Sequence, residues 1–307
     1  MAGIAGYFIY TAIPALDATH QAVLRIVSIL QPVLIFSMLF ITFCKVRLRD
    51  FKHARWHWPL LLMQTGIFVV GTVLVSQVSN LQFQISNFGI VAESFLLCII
   101  CPTATAAVVV TTKLGGNAGT LTTYTMLINI AVAVAVPAMV PLMHPDASTT
   151  FLSSFLIIII KVFPLLIGPL LLAILMRAVW PWLTRRIASV PDLAIYLWAV
   201  SLALAIAVSV KALVHSRSPL SVLVGIAVAS ALACVMQFAF GHWVGRRCSD
   251  TVSAAQACGQ KNTVFAIWLG YTFLTPVTAL AGGFYSIWHN VYNSWQLRDT
   301  SNSKEKK

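Results

Sequence analysis

The sequence predicts an all-α polytopic membrane protein: ten transmembrane helices in two inverted repeats of five, with broken fourth and ninth helices crossing at the midplane. Three observations predict it. The 307 residues are 59% hydrophobic and 9% charged, too apolar and too poor in charge for a soluble domain. Apolar runs of spanning length alternate with short basic loops. In the fourth and ninth runs a helix-breaking cluster interrupts the apolar pattern, around Pro102 in one and around Gly259 in the other. The net charge of +12 does not point to nucleic acid, because the basic residues lie between the spans, where cytoplasmic loops face anionic lipid.

In chain order, the first apolar run, residues 2–16, is shorter than the ~20 residues a perpendicular span needs. It lacks the basic flank of a secretory signal, which leaves a short first helix, a re-entrant segment or a truncated start. The next spans are expected near 24–44, 57–78, 86–113 and 118–142. After His144-Pro145-Asp146 come 151–177, 191–212, 219–245, 251–273 and 275–297.

Loop charge tests the count. Lys45, Arg47, Arg49, Lys52, Arg55, Lys113, Arg177, Arg185, Arg186, Arg246, Arg247, Arg298, Lys304, Lys306 and Lys307 fall on one side. Arg25, Lys211 and Arg217 fall on the other, and Lys161 and Lys261 lie within spans, which accounts for all 20 basic residues. The positive-inside rule puts the larger group and both termini in the cytoplasm, which needs an even number of crossings. Ten fit; nine do not. Five spans per half is an odd number, so the second half inserts upside down relative to the first. Residues 1–145 then form one repeat (spans 1–5), 146–297 the other (spans 6–10) and 298–307 a cytoplasmic tail. For so short a chain without added domains, the expected location is a plasma membrane, the bacterial inner membrane.

The chemistry concentrates at the two breaks. Cys101-Pro102-Thr103-Ala104-Thr105 in the fourth span and Gly259-Gln260-Lys261-Asn262 in the ninth occupy matching positions of the two halves, the arrangement in which half-helices build a binding site. An ionisable group at the bilayer centre costs roughly 2.5–3.5 kcal/mol on insertion scales, so Lys261 is expected to face a cavity, a partner or a substrate. Glu93, about two turns before Cys101, is the only acidic residue deep within a span and the expected partner of Lys261. Further candidate substrate or ion contacts are Gln260, Asn262, Thr103, Thr105, Thr111, Thr112, Thr125, Asn129 and Gln237, with Pro102 and Gly259 as the helix breaks; threonines in such helices also bond back to their own backbone. Lys161 is expected at a cavity mouth or snorkelling to the interface, and His289 and Asn290 on a proton path or in a helix contact. Cys98 and Cys101 read as small buried hydrophobes and the six cysteines as unpaired. Trp56, Trp58, Trp180 and Trp182 read as an interfacial belt. No phosphate-binding glycine loop, HExxH, nucleophile elbow or close carboxylate pair argues for an enzyme.

These residues carry a resemblance. Cys101-Pro102 followed by Thr105-Ala106, then Gly116-Asn117 and Thr120, Thr122, Thr123 and Thr125, resembles the fourth and fifth helices of the bile acid:sodium symporter family. Gly259 with Asn262-Thr263-Val264-Phe265-Ala266 is similar to its ninth helix, and Leu30 to Phe40 and Pro164 to Gly168 to its second and sixth. The resemblance implies a panel (spans 1, 2, 6 and 7) moving against a core (spans 3, 4, 5, 8, 9 and 10) to carry an organic anion, usually with sodium. It also implies departures. Where the family has Ser-Asn ligands for sodium, this chain has Ala107-Val108; where it has a glutamate and a glutamine, this chain has Ala257 and Lys261. A register shifted by one matches Gln256 and Gln260 instead.

A site that offers alanine, valine and an ammonium in place of oxygen ligands repels sodium, a hard cation that wants oxygen. The expectation is therefore a sodium-independent secondary carrier of a small organic anion by alternating access. Lys261 stands where relatives bind sodium, and burial, which favours the neutral amine, allows proton coupling. The alternatives are a sodium symporter using Gln256, Gln260 and backbone oxygens, an exchanger, or a non-transporting membrane sensor. No cofactor is expected, and the partners are the anion and membrane lipid, with no nucleic acid. The oligomeric state, the substrate and the direction are not legible.

Overall fold

The computed structural model describes residues 20–45, 52–80, 87–144, 150–190, 193–216 and 218–305, with positions 3, 5, 7 and 8 of the first apolar run. The described residues form twelve helices: α1 (His20–Lys45), α2 (His57–Asn80), α3 (Asn87–Ile100), α4 (Ala107–Lys113), α5 (Ala118–Met143), α6 (Phe151–Val179), α7 (Pro181–Ser189), α8 (Leu193–Val214), α9 (Leu220–Arg247), α10 (Thr251–Gly259), α11 (Thr263–Phe273) and α12 (Leu280–Glu305). Six of them, α1, α2, α5, α6, α8 and α9, are long and apolar enough to cross a membrane, and α3 and α11 are shorter apolar helices. Leu62, Leu74, Ile160, Leu175, Leu232 and Val235 on their surfaces are each more than half exposed, a degree of apolar exposure suited to lipid. The chain is a polytopic membrane protein.

Both predicted breaks are present. The fourth run divides into α3 and α4 around residues 101–106, and the ninth into α10 and α11 around residues 260–262. The last helix starts at Leu280, later than the expected 275, because Thr275 holds a turn: its Oγ1 accepts the Thr278 N–H and its carbonyl the Ala279 N–H, both at 3.0 Å. A short helix, α7, stands where the sequence suggests only a basic loop; Pro181 at its first turn is pre-set for a helical start. Of the first apolar run, positions 3, 5, 7 and 8 are helical, and the Tyr7 hydroxyl lies 3.4 Å from His215 Nδ1, just beyond α8. The rest of that run, with Arg47, Arg49, Arg217, Lys306 and Lys307 among the basic residues, lies outside the described residues.

Packing sorts the helices into neighbourhoods. The helix α1 packs on α6 and α8, whereas α9 packs on α3, α10 and α12. The α9–α10 contact is closest because two glycines one turn apart face it. A Cβ on Gly241 would stand 2.7 Å from the Ala254 carbonyl oxygen, and one on Gly245 2.7 Å from the Thr251 Cα. Small residues at this spacing let helix backbones approach where lipid supplies no hydrophobic drive.

Polar residues tie the helix ends. Trp56 Nε1 and Thr120 Oγ1 both donate to Asp250 Oδ2 at 2.9 Å, His57 Nε2 lies 3.0 Å from the Thr120 carbonyl, and Arg177 Nη2 donates to the Phe43 carbonyl at 2.9 Å. Trp56 therefore leaves the expected interfacial belt: it is fully buried on Asp250, whereas Trp58, Trp180 and Trp182 are each more than half exposed. At the opposite ends of these helices, His144 Nε2 meets Glu93 Oε1 at 3.0 Å and Thr278 Oγ1 donates to Glu93 Oε2 at 3.3 Å.

Replacing Gly241 by Leu should force α9 and α10 apart. The expected cost is about 1–3 kcal/mol, read as a lower thermal transition of the purified protein, whereas Leu232→Ala on the exposed face of α9 should leave the transition nearly unchanged.

Candidate functional site

The site is built by two chain breaks that satisfy each other. Pro102 has no N–H to give the Cys98 carbonyl, and its ring crowds that turn, so α3 ends here; Gln237 Nε2 supplies the missing donor at 3.3 Å. On the other strand, Gly259 is glycine for want of space, because a Cβ would stand 2.4 Å from the Phe238 ring. The chain then runs extended through Gln260. Asn262 caps α11, its side-chain oxygen accepting the Phe265 N–H at 3.2 Å. Between the breaks Thr103 and Lys261 pair in antiparallel fashion. Ala104 N donates to the Gln260 carbonyl and Asn262 N to the Pro102 carbonyl, both at 2.8 Å.

The carbonyls at the end of α10 all find donors. Ala257 accepts from Thr103 Oγ1 at 2.7 Å, Cys258 from Gln64 Nε2 at 3.3 Å and Gly259 from the Tyr285 hydroxyl at 2.7 Å. These donors are themselves joined. Tyr124 donates to Gln64 Oε1 at 2.6 Å, Gln64 to Gln237 Oε1 at 2.9 Å, and Gln237 Nε2 reaches the Tyr285 oxygen at 3.1 Å. The chain Tyr124–Gln64–Gln237–Tyr285 thus belts the crossing from α5, α2, α9 and α12. In a medium without water this is the requirement that freed backbone groups be met by protein.

Lys261 sits inside that belt, 1% exposed, and its Nζ has no hydrogen-bonding partner among the described residues. The ionisable groups around it are four thiols, those of Cys98, Cys101, Cys234 and Cys258, with no carboxylate among them. Cys101 Sγ lies 2.9 Å from the Asn262 carbonyl, and all six cysteines are free. The C-terminal ends of α3 and α10 and the N-terminal ends of α4 and α11 all meet at this place, so helix dipoles of both signs act on it.

The sequence expectation for Glu93 needs correction: its partners are His144 and Thr278, not Lys261. Helix geometry is the reason. Glu93 lies eight residues before Cys101, about 12 Å along the axis at 1.5 Å per residue, and so reaches the helix end rather than the crossing. The hydrogen bond to Glu93 raises the His144 pKa above its usual value, and burial opposes it in part.

The other expected residues divide. Thr103, Gln260, Lys261 and Asn262 meet at the crossing, and Gln237 belongs to the belt. Gln260 Oε1 is buried without a protein partner, as are Thr111 Oγ1 and both amide atoms of Asn129. Thr105 is buried, at 9% exposure. Thr112 is exposed and bonds back to Val108, and Thr125 bonds back to Leu121, as threonines in helices do. Lys161 is exposed on α6, its Nζ 5.5 Å from the centre of the Phe273 ring at the end of α11. His289 is buried against Tyr285, its Nδ1 without a partner, and Asn290 donates to the Ser286 carbonyl of its own helix. Gln64, Tyr124 and Tyr285, which complete the belt, are positions that the sequence reading misses. The available signal is weak: the apolar run 57–80 carries two glutamines, Gln64 and Gln77, α5 one tyrosine, and α12 two, Tyr285 and Tyr292.

Broken helices paired through their backbones around a buried cation, within a polytopic membrane protein, define a transporter-type molecule. The model of the SBF-like CPA transporter family (DUF4137) matches residues 2–297. The chain belongs to that family, which is related to the bile acid:sodium symporters. No curated protein matches the chain.

Two outcomes follow from the geometry. Tyr285→Phe removes the donor to the Gly259 carbonyl and should cost about 1–3 kcal/mol, read as a lower thermal transition, with Tyr196→Phe on the exposed surface as the neutral comparison. The His144–Glu93 pair should stabilise the fold most at low pH. A histidine whose folded pKa is raised contributes fully below the ordinary value, about 6.5, and the contribution is lost as pH climbs through the raised value. The gap in melting temperature between wild type and Glu93→Gln should narrow as pH rises from 6 to 9; a gap that stays constant would count against the pair.

Proposed function

We propose that the chain is a secondary carrier of a small organic anion, working by alternating access without bound sodium, with Lys261 providing at the crossing the positive charge that sodium provides in relatives. The observation that carries this reading is the fully buried Lys261 ammonium, which among the described residues has neither a hydrogen-bonding partner nor a carboxylate beside it. An ammonium left alone in such a place is costly. Two events relieve the cost: an anion arrives, or the proton leaves. Binding of the anion and protonation of Lys261 are then linked, so that carboxylate or sulfonate and proton travel together. This is the physical content of proton coupling here. The freed Gln260 oxygen, Thr103 and Asn262 flank the charge and belong to the same proposed site.

The architecture proposed with it is ten spans in two inverted repeats, residues 1–145 and 146–297, with 298–307 as a tail, both termini cytoplasmic and the protein in a plasma membrane. Matching breaks in the fourth and ninth spans support the repeat. The packing of α1 on α6 and α8, and of α9 on α3, α10 and α12, is in keeping with a panel and a core, with α5 on α6 as the main contact between them. A cavity of about 690 Å³, almost wholly apolar, lies between α8 and α12, on the boundary along which the two parts would slide. Lys261 does not line this cavity and is itself buried.

A second reading is favoured by one observation. Gln256 Oε1 and Gln260 Oε1, four residues apart, are both buried without a protein donor and are the oxygen type that sodium accepts. Against it, the Gln256 amide nitrogen is engaged by Asn293 and Gln296 on α12, at 3.1 and 2.7 Å, which turns the side chain toward that helix.

Thermal stability in sodium against choline separates the two readings. Wild type should be indifferent to sodium, and Lys261→Gln, which restores a neutral oxygen ligand, should gain a sodium-dependent upward shift. A strong sodium stabilisation of wild type would sink the ammonium reading in favour of the Gln256 and Gln260 one. In proteoliposomes, anion uptake should follow an imposed pH gradient and be lost in Lys261→Gln.

A further inference from the structure

The basic residues on the sparsely charged side of the bundle are few, and two of them share a cavity. Arg25 at the start of α1 and Lys211 near the end of α8 line a space of about 370 Å³ closed by α11. These helix ends lie opposite the end tied by Asp250 and Arg177. Gln31 lines the same cavity. It is only 4% exposed, and its amide nitrogen meets no acceptor among the described residues. The Tyr271 hydroxyl adds a further donor, and Trp268 and Val208 supply apolar wall. No acidic residue is among the lining side chains. Lys161 of α6 reaches the same end of α11 through Phe273, two residues beyond Tyr271.

A cavity with a guanidinium, an ammonium and an orphaned amide N–H₂ on one side and an indole on the other is complementary to one kind of ligand. The donors demand oxygens carrying negative charge, and the wall demands an apolar body. The placement is also informative. Positive-inside statistics disfavour basic residues on this side, so two that converge on one cavity have a local reason to be there.

We infer that this cavity is an anion-binding vestibule, which takes a small organic monoanion, a carboxylate or sulfonate with an apolar body, from the aqueous side opposite the basic loops. It lies where α1 and α8 meet α11, the half-helix that begins at the crossing. An anion held there is one helix length from Lys261. Its part in feeding transport rests on the reading of the chain as an organic-anion carrier; the binding itself does not. The same donors would also accept the phosphate of an anionic lipid headgroup, and the test separates the two sources.

The probe is naphthalene-2-sulfonate, titrated calorimetrically into the full chain in nanodiscs of phosphatidylcholine, with the neutral naphthalene-2-sulfonamide as control. Wild type should bind the sulfonate and not the sulfonamide, more weakly as salt is added. Arg25→Gln and Lys211→Gln should each weaken binding by about tenfold, the loss expected for a charge-assisted hydrogen bond, and the double variant should abolish it while keeping the wild-type melting temperature. Lys261 is left in place in every variant, so that a failure of the carrier reading leaves this result intact. No binding by wild type or undiminished binding by the double variant would overturn the vestibule. So would complete competition by phosphatidylglycerol in the disc, which would assign the cavity to a lipid headgroup.

Discussion

The structure depends on one constraint: backbone polar groups that leave a helix inside a membrane must be met by protein. Two helices break in this chain, and each break would strand N–H and C=O groups worth several kcal/mol apiece in hydrocarbon. The solution is mutual. The strand at Pro102–Ala104 and the strand at Gln260–Asn262 bond to each other, so neither break is stable without its counterpart. What the bridge does not reach, the side chains of Thr103, Gln64, Tyr285 and Gln237 complete. The crossing is therefore a rigid unit, and it holds α3, α4, α10 and α11 as one body with the belting helices. That rigidity is what a carrier needs if its site is to stay assembled while the surrounding parts move.

The two ends of the bundle are locked by different chemistry. At one, Asp250 collects Trp56 and Thr120 and ties α2, α5 and α10 together with neutral donors on a carboxylate. At the other, Glu93 collects His144 and Thr278, and one of its partners is titratable. The second tie therefore contains a histidine whose pKa is raised by its carboxylate partner, and the two ends of the core are held by different kinds of group.

How far the sequence reveals this depends on how local the cause is. The breaks are legible because their causes are local: Pro102 lacks a donor wherever it lies, and Gly259-Gln260-Lys261-Asn262 is polar in an apolar run whatever surrounds it. Their pairing is legible at one remove, from matching positions in two halves. The belt is not. Gln64, Tyr124 and Tyr285 are each one polar group in a span, and such a group acquires a meaning only when packing chooses its neighbour. Trp56 fails for the same reason, since a tryptophan beside a basic loop belongs to the interface unless a distant Asp250 claims its N–H. Glu93 is a different failure: its burial and acidity are legible, but the partner is set by height along the helix, and His144 is level with it where Lys261 is not.

Charge bookkeeping carries the argument furthest. If the only acid deep within a span had faced Lys261, the crossing would be neutral and self-sufficient, and an anion would have had to break an ion pair in order to enter. With Glu93 committed to His144, no carboxylate among the described residues faces Lys261, whose ionisable neighbours are four thiols. Helix ends of both signs meet there, each worth about half an elementary charge, and they leave the ammonium unsatisfied. The balance is what lets one residue serve two states. In the proposed cycle the charged side chain is completed by an anion, and the neutral one rests among small apolar and sulfur-bearing side chains. Sodium in that position would be removed by leaving, whereas an ammonium tethered by its chain can be removed only by losing its proton. On that reading, exchanging a bound metal ion for a tethered ammonium exchanges the coupling ion as well.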